Sequence, residues 1–187
     1  HTGQGRKATA IGDLCGADNQ GTNATAIGSN AGKYYQGKAA LAFGQRAGEF
    51  TQGQEGIAIG KWAGRYNQSN NAIAIGESSA QFTQSTDAIA IGRSSGETEQ
   101  GLYSIAIGRS AGSDFQSSRS IAIGYTTGQT VQGADAIAIG YNCASGYQGI
   151  GSVAIGFAAG NFTQAEEAIA IGKIAGNWGS GYQSIAI

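Results

Sequence analysis

Few residues of this chain have the chemistry that catalysis or metal binding requires. The only histidine is His1, and the acidic residues are scattered, with the Glu97/Glu99 and Glu166/Glu167 combinations coming nearest to pairs. A histidine-based triad or a multi-histidine metal site needs several such side chains brought together. The acidic residues need no role beyond surface solvation. We therefore predict that the chain is not an enzyme and that it uses no cofactor and no metal ion.

Two other residue types recur regularly and are candidates for structural or ligand contacts. One is glutamine, which returns every sixteen residues at Gln20, Gln36, Gln52, Gln68, Gln84, Gln100, Gln116, Gln132, Gln148 and Gln164. Stacked amides that bond to one another or to turn backbone explain this better than a ligand-binding stripe, so we predict a structural ladder. The other is an aromatic series, Tyr34, Phe50, Tyr66 and Phe82. It either covers a turn, which we favour, or offers a glycan-contact platform, since sugars pack on aromatic faces.

A sixteen-residue repeat must position all of these residues. Glycine follows an apolar run at every sixteenth position from Gly12 to Gly172, and we call these residues the core glycines. The residue two before each core glycine is alanine, and the one directly before is isoleucine except at Phe43. Each coil thus reads A-I-A-I-G-x-x-A-G-x-x-x-Q-x-x-x, repeated about eleven times without a linker. Cys15 and Cys143 share one slot eight coils apart, about 38 Å along a rod of stacked strands, which excludes a disulfide between them.

The alternation of isoleucine and alanine indicates β-strands, because β-branched side chains favour that state. A strict repeat places each residue over its copy in the next coil, giving in-register ladders about 4.8 Å apart. The 33 glycines and the absence of proline suit such an array, because glycine permits the turns and proline would interrupt the ladders. We predict an all-β fold: one parallel β-solenoid, or β-roll, over residues 1–187, forming a segment of a longer fibre or surface protein.

Both faces of the A-I-A-I strand are apolar, as in strands covered on both sides. Branched isoleucines suit a thin interior, which would leave the alanines outside as about 500 Å² of contiguous apolar surface, at the limit of what a soluble monomer exposes. We therefore expect a homo-oligomer, with a parallel trimer favoured. The predicted interface residues are Ala26, Ala42, Ala58, Ala74, Ala90, Ala106, Ala122, Ala138, Ala154 and Ala170.

Charge and hydropathy exclude two classes of partner. The chain has 11 basic and 12 acidic residues and a net charge of −1, so it lacks the basic surface that nucleic acid requires. No apolar run approaches the roughly 20 residues that span a bilayer. We expect no nucleic-acid binding and no direct membrane insertion by this segment.

The residues at the core glycines resemble a known family. Ser104-Ile105-Ala106-Ile107-Gly108 and Ser152-Val153-Ala154-Ile155-Gly156 match the core of the YadA-like head repeat of trimeric autotransporter adhesins. The glutamine-bearing variant is also similar to arrays in fibre proteins of phages and large DNA viruses. The resemblance implies a left-handed β-roll assembled as a trimer, extracellular, on a cell surface or virion surface, and serving attachment.

These observations lead us to expect a structural and adhesive fibre or head segment whose partner is a host-surface glycan or a protein receptor. A purely structural extracellular filament, in which rods stack end to end, is the main alternative. An ice-binding solenoid would show a flat threonine-rich ladder, whereas the outer slots here mix charged, aromatic and polar residues. A polysaccharide-cleaving tailspike would need carboxylates in grooves between subunits, whereas the acidic residues here are scattered over different slots of the repeat.

Overall fold

The computed structural model describes residues 2–187, which form a solenoid of parallel strands and contain no helix. Every strand pairs with its copy sixteen residues away, as when Ile73 pairs with Ile89 and Ile89 with Ile105. This architecture confirms the predicted β-solenoid of about eleven sixteen-residue coils. No helix that could span a bilayer is found in these residues.

One side of the solenoid is a single twelve-stranded parallel sheet, which we call the long sheet. It is built from the A-I-A-I segments, and two of its strands continue past the core glycine to a tyrosine. Its strands are Thr9–Ile11, Thr25–Ile27, Leu41–Phe43, Ile57–Ile59, Ile73–Ile75, Ile89–Ile91, Ile105–Ile107, Ile121–Tyr125, Ile137–Tyr141, Val153–Ile155, Ile169–Ile171 and Ile185–Ala186.

The opposite side of each coil is a shorter strand that contains the repeated glutamine, and we call this side the glutamine sheet. One part comprises three strands and the other six. Three isolated parallel bridges join the two parts: Gln36 pairs with Gln52, Gln52 with Gln68, and Gln68 with Gln84. The strands are Thr2–Gln4, Asp18–Gln20, Tyr34–Gln36, Thr83–Gln84, Glu99–Gln100, Phe115–Gln116, Val131–Gln132, Tyr147–Gln148 and Thr163–Gln164.

Two tight turns connect the sheets in each coil, and both use a left-handed backbone conformation. The position two residues after the core glycine has positive φ in every coil, even where it holds Trp62 (φ 62°) or Ile174 (φ 65°). The position eleven residues after it does the same, as at Asp87 (φ 57°). A hydrogen bond from the fourth to the first residue closes such turns, as from the Ala31 amide to the Gly28 carbonyl. Positive φ at the third residue is characteristic of type II turns.

The core glycines allow successive coils to stack closely. Gly92 has φ +127°, and a β-carbon at this position would lie 2.5 Å from the carbonyl oxygen of Gly108 in the next coil. That neighbour is backbone and cannot rotate away, so only glycine fits. This requirement explains why the core glycine recurs without exception.

Candidate functional site

The long sheet turns its alanines inward and its isoleucines outward. The central alanine of each strand from Ala26 to Ala170 has no exposed surface within the single chain. The flanking residues are half-buried or exposed on the outer face, with Ile107 at 36% and Ile171 at 40%. The prediction of an alanine-lined interface is therefore wrong for all ten residues: Ala26, Ala42, Ala58, Ala74, Ala90, Ala106, Ala122, Ala138, Ala154 and Ala170.

The physical reason is the thinness of the interior. The inward alanines face a second ladder of small residues, three positions after the core glycine, which includes Ala63, Ser95 and Cys143. One glutamine side chain is long enough to reach from one sheet to the backbone of the other. A gap this narrow accommodates methyl groups but not two facing ladders of isoleucine, which therefore lie outside.

The glutamine ladder lies inside the solenoid. All ten glutamines from Gln20 to Gln164 are at most 3% exposed. The Nε2 of each donates to the carbonyl of the first residue of the long-sheet strand in the same coil, at 2.6–2.9 Å. It also donates to a turn carbonyl four residues ahead, at 2.9–3.5 Å. The side chain thus connects the two sheets across the core.

Bonds between neighbouring glutamine amides are secondary to these backbone contacts. They link Gln68 to Gln84 at 3.1 Å and Gln84 to Gln100 at 3.0 Å, but not every successive pair. Each amide nitrogen has only two hydrogens, and both already point towards backbone carbonyls. A buried amide with this set of partners is not available to an external ligand.

The series Tyr34, Phe50, Tyr66 and Phe82 forms a ladder of stacked rings. Successive centroids lie 5.5, 4.6 and 5.6 Å apart, with interplanar angles of 22° or less. Phe50 and Tyr66 therefore have a ring against each face and cannot present a face to a sugar. A four-ring glycan platform is therefore wrong for these two positions.

An ion pair lies beside this ladder. Arg65 Nε lies 2.6 Å from Glu49 Oε2, and the side chains are only 16% and 7% exposed. The guanidinium carbon is 4.6 Å from the Tyr66 ring centroid and 5.8 Å from that of Phe50. The pair and the rings therefore pack as one cluster, whose ordered arrangement supports a structural role.

A second aromatic ladder, which the sequence reasoning missed, follows the edge of the long sheet. Tyr125, Tyr141 and Phe157 stand directly after three successive core glycines, with centroids 5.2 and 5.3 Å apart. They are 39%, 52% and 49% exposed. Arg109 and Lys173 occupy the same slot at the two ends and lie within 6 Å of the terminal rings. The sequence did contain a signal for this ladder, namely the sixteen-residue spacing of the three aromatic residues.

The ionisable groups of residues 2–187 show structural rather than catalytic environments. Burial raises the pKa of the Cys15 thiol above its usual range and that of Cys143 to about 11, and both cysteines are free. Hydrogen bonding to Arg119 lowers the pKa of Asp135 in an exposed ion pair. No cluster of three potential metal-ligating side chains occurs in this part of the chain. The terminal histidine, His1, lies outside the described residues.

Comparison with known proteins finds one family. The model of the YadA head domain repeat matches the chain in two copies, at residues 20–31 and 100–127. No curated protein sequence matches the chain. The second segment contains two complete long-sheet strands and the glutamine strand between them. In these two segments the chain is therefore similar to the YadA-type head repeat, a structural, adhesin-type module.

Proposed function

We propose that this chain is a segment of a surface-exposed attachment fibre that assembles as a parallel homotrimer. The observation that carries the proposal is the outward isoleucine face of the long sheet, which we call the isoleucine face. It comprises two in-register ladders, as in Ile73, Ile89 and Ile105 and in Ile75, Ile91 and Ile107. The similarity to YadA-type heads, which are trimeric surface adhesins, supports both the assembly and an extracellular location.

The size of the isoleucine face supports burial against other copies. Twelve strands spaced by about 4.8 Å give a strip about 50 Å long and 10 Å wide, on the order of 500 Å² of apolar surface. Surfaces of this size commonly mark interaction sites. Burying it is worth on the order of 10 kcal/mol per chain before the costs of association are subtracted. The regular register of this surface also suits self-association, because identical coils can align at equal spacing.

The assembly is tested by the solution mass of the purified chain. We expect three times the chain mass of 18.8 kDa. Ile91→Asp should reduce the mass to that of one chain, because it places a charge at the centre of the interface. Ile150→Asp is the matched control, since Ile150 is 51% exposed but lies in a turn beside the glutamine sheet. A monomeric wild-type chain, or equal effects of both substitutions, would contradict the proposed interface.

Attachment is tested separately with fluorescent beads that carry the full chain. The beads are passed over immobilised glycans and extracellular proteins, and we expect retention on at least one class of surface. Repetition of the chain on each bead raises avidity even where a single contact is weak. Absence of retention on both arrays would contradict the attachment role while leaving the assembly unaffected.

A further inference from the structure

A shallow groove follows the outer face of the glutamine sheet, away from the isoleucine face. Two successive cavities form it, one of about 390 Å³ lined by residues between 51 and 86 and one of about 340 Å³ lined by residues between 83 and 118. The residue before each glutamine points out of the solenoid here, as Thr83 and Glu99 do, while the glutamine itself is buried. The groove therefore stays open to solvent when the isoleucine face is covered.

The lining of this groove is rich in neutral hydrogen-bonding groups. Hydroxyl and amide side chains such as Thr83, Asn67 and Ser117 line it in several coils. Glu99 is the only charged residue among those that line the two cavities, and no lysine or arginine occurs among them. A ligand with hydroxyl groups and no negative charge suits this lining, because an anion would meet the Glu99 carboxylate without a compensating cation.

Phe115 gives the groove an exposed aromatic side chain that belongs to neither stacked ladder. Its side chain is 49% exposed. Its in-register neighbours are Glu99 and Val131, so the side chains beside it in the ladder are not aromatic. This differs from Phe50, whose two faces are both occupied by rings. A half-exposed aromatic side chain beside hydroxyl and amide groups is a combination that can pack against a pyranose ring and bond to its hydroxyls.

We propose that this groove binds a linear neutral oligosaccharide lying along the rod. One sugar ring packs on Phe115, and the hydroxyls of neighbouring sugars bond to Thr83, Asn67 and equivalent side chains of adjacent coils. The regular coil spacing suits a ligand that is itself a chain of repeated units. This inference rests on the proposed attachment function and names the class of partner.

The experiment titrates the purified oligomer with cellohexaose, chitohexaose and maltohexaose, and with a heparin hexasaccharide as the anionic comparison. Binding is followed by calorimetry. We expect at least one neutral hexasaccharide to bind and the heparin fragment not to bind. Phe115→Ala should weaken binding about tenfold, the size expected from losing one aromatic contact. Phe157→Ala is the matched control, because Phe157 is equally exposed at 49% but lies outside the groove, and it should leave binding unchanged.

Several outcomes would overturn the groove proposal: no neutral hexasaccharide binds, heparin binds as well as they do, or Phe115→Ala and Phe157→Ala have equal effects. If Phe115→Ala loses its strand signal by circular dichroism, Thr83→Val provides the same test, because it removes one hydroxyl and keeps the shape of the side chain. Retention on neutral glycans that is undiminished in Phe115→Ala would refute the groove alone. Beads that bind no surface would instead contradict the attachment function.

Discussion

Replacing a core glycine with alanine should destabilise the solenoid far more than replacing the glycine four residues later in a coil. In Gly92→Ala the new β-carbon would lie 2.5 Å from the Gly108 carbonyl oxygen, at φ +127°. Holding a non-glycine residue in such a conformation costs about 1–3 kcal/mol, and overpacking against rigid backbone costs a similar amount. We therefore expect a loss of about 2–6 kcal/mol in the free energy of unfolding.

Gly64→Ala is the matched control for this substitution. Gly64 also has positive φ, +49°, but its added β-carbon would meet the side-chain amide of Gln68 at 2.9 Å rather than backbone. The same slot already holds alanine at Ala80 (φ 46°) and Ala144 (φ 45°). We expect a loss of about 1 kcal/mol.

The measurement for both variants is urea unfolding of the full chain, followed by circular dichroism. Hydrogen exchange adds a local readout, because each coil contacts only its neighbours and the damage should concentrate around residues 76–108 in Gly92→Ala. Equal costs for the two variants, or a cost below about 1 kcal/mol for Gly92→Ala, would refute the stacking argument.

Three further predictions concern buried polar groups. Gln84→Leu should cost about 2–4 kcal/mol in urea unfolding, because it leaves the Ile73 and Ala88 carbonyls without their side-chain donor, whereas the same change at exposed Gln54 should be nearly neutral. The raised pKa of Cys143 predicts iodoacetamide labelling at pH 8 about a hundredfold slower than for a free cysteine. Since its folded-state pKa of about 11 exceeds the usual 9.0, the contribution of this thiol to stability should be constant below pH 9 and fall towards pH 11, and Cys143→Ala should make the loss of stability over that range smaller. Glu49→Ala should cost about 3 kcal/mol in urea unfolding by leaving Arg65 unpaired in a largely buried site, whereas Asp135→Asn in the exposed pair should leave the unfolding midpoint almost unchanged.

The period of the repeat was sufficient to predict the fold. A residue spacing of sixteen that never slips requires each strand to pair with its copy, and the register of Ile89 with Ile105 follows directly. Hydropathy could not show whether the alanines or the isoleucines point into the solenoid, because both residue types are apolar. A shift of one residue along the strand exchanges its inner and outer faces.

A signal for the correct face was nevertheless present in the sequence. The inward slot holds alanine in every coil, whereas the outward slots accept threonine at Thr9 and Thr25 and phenylalanine at Phe43. A slot that holds only alanine indicates that the space around its side chain is tightly limited, whereas a slot that accepts side chains of different sizes indicates open space. The aromatic ladder from Tyr125 to Phe157 was equally visible as spacing, but whether ring faces are covered depends on side-chain geometry that spacing does not give.

The turns with positive φ determine how freely the side chains on the outer surface of the solenoid can change. Their backbone conformation is set by stacking of the coils and not by the residue present, since Trp62, Asp87 and Ile174 all adopt it. Folding therefore places few demands on the side chains at these corners. A lineage carrying such an array can exchange the chemical groups displayed at intervals of about 4.8 Å while the interior stays the same, so binding preferences can change by single substitutions without the fold being rebuilt.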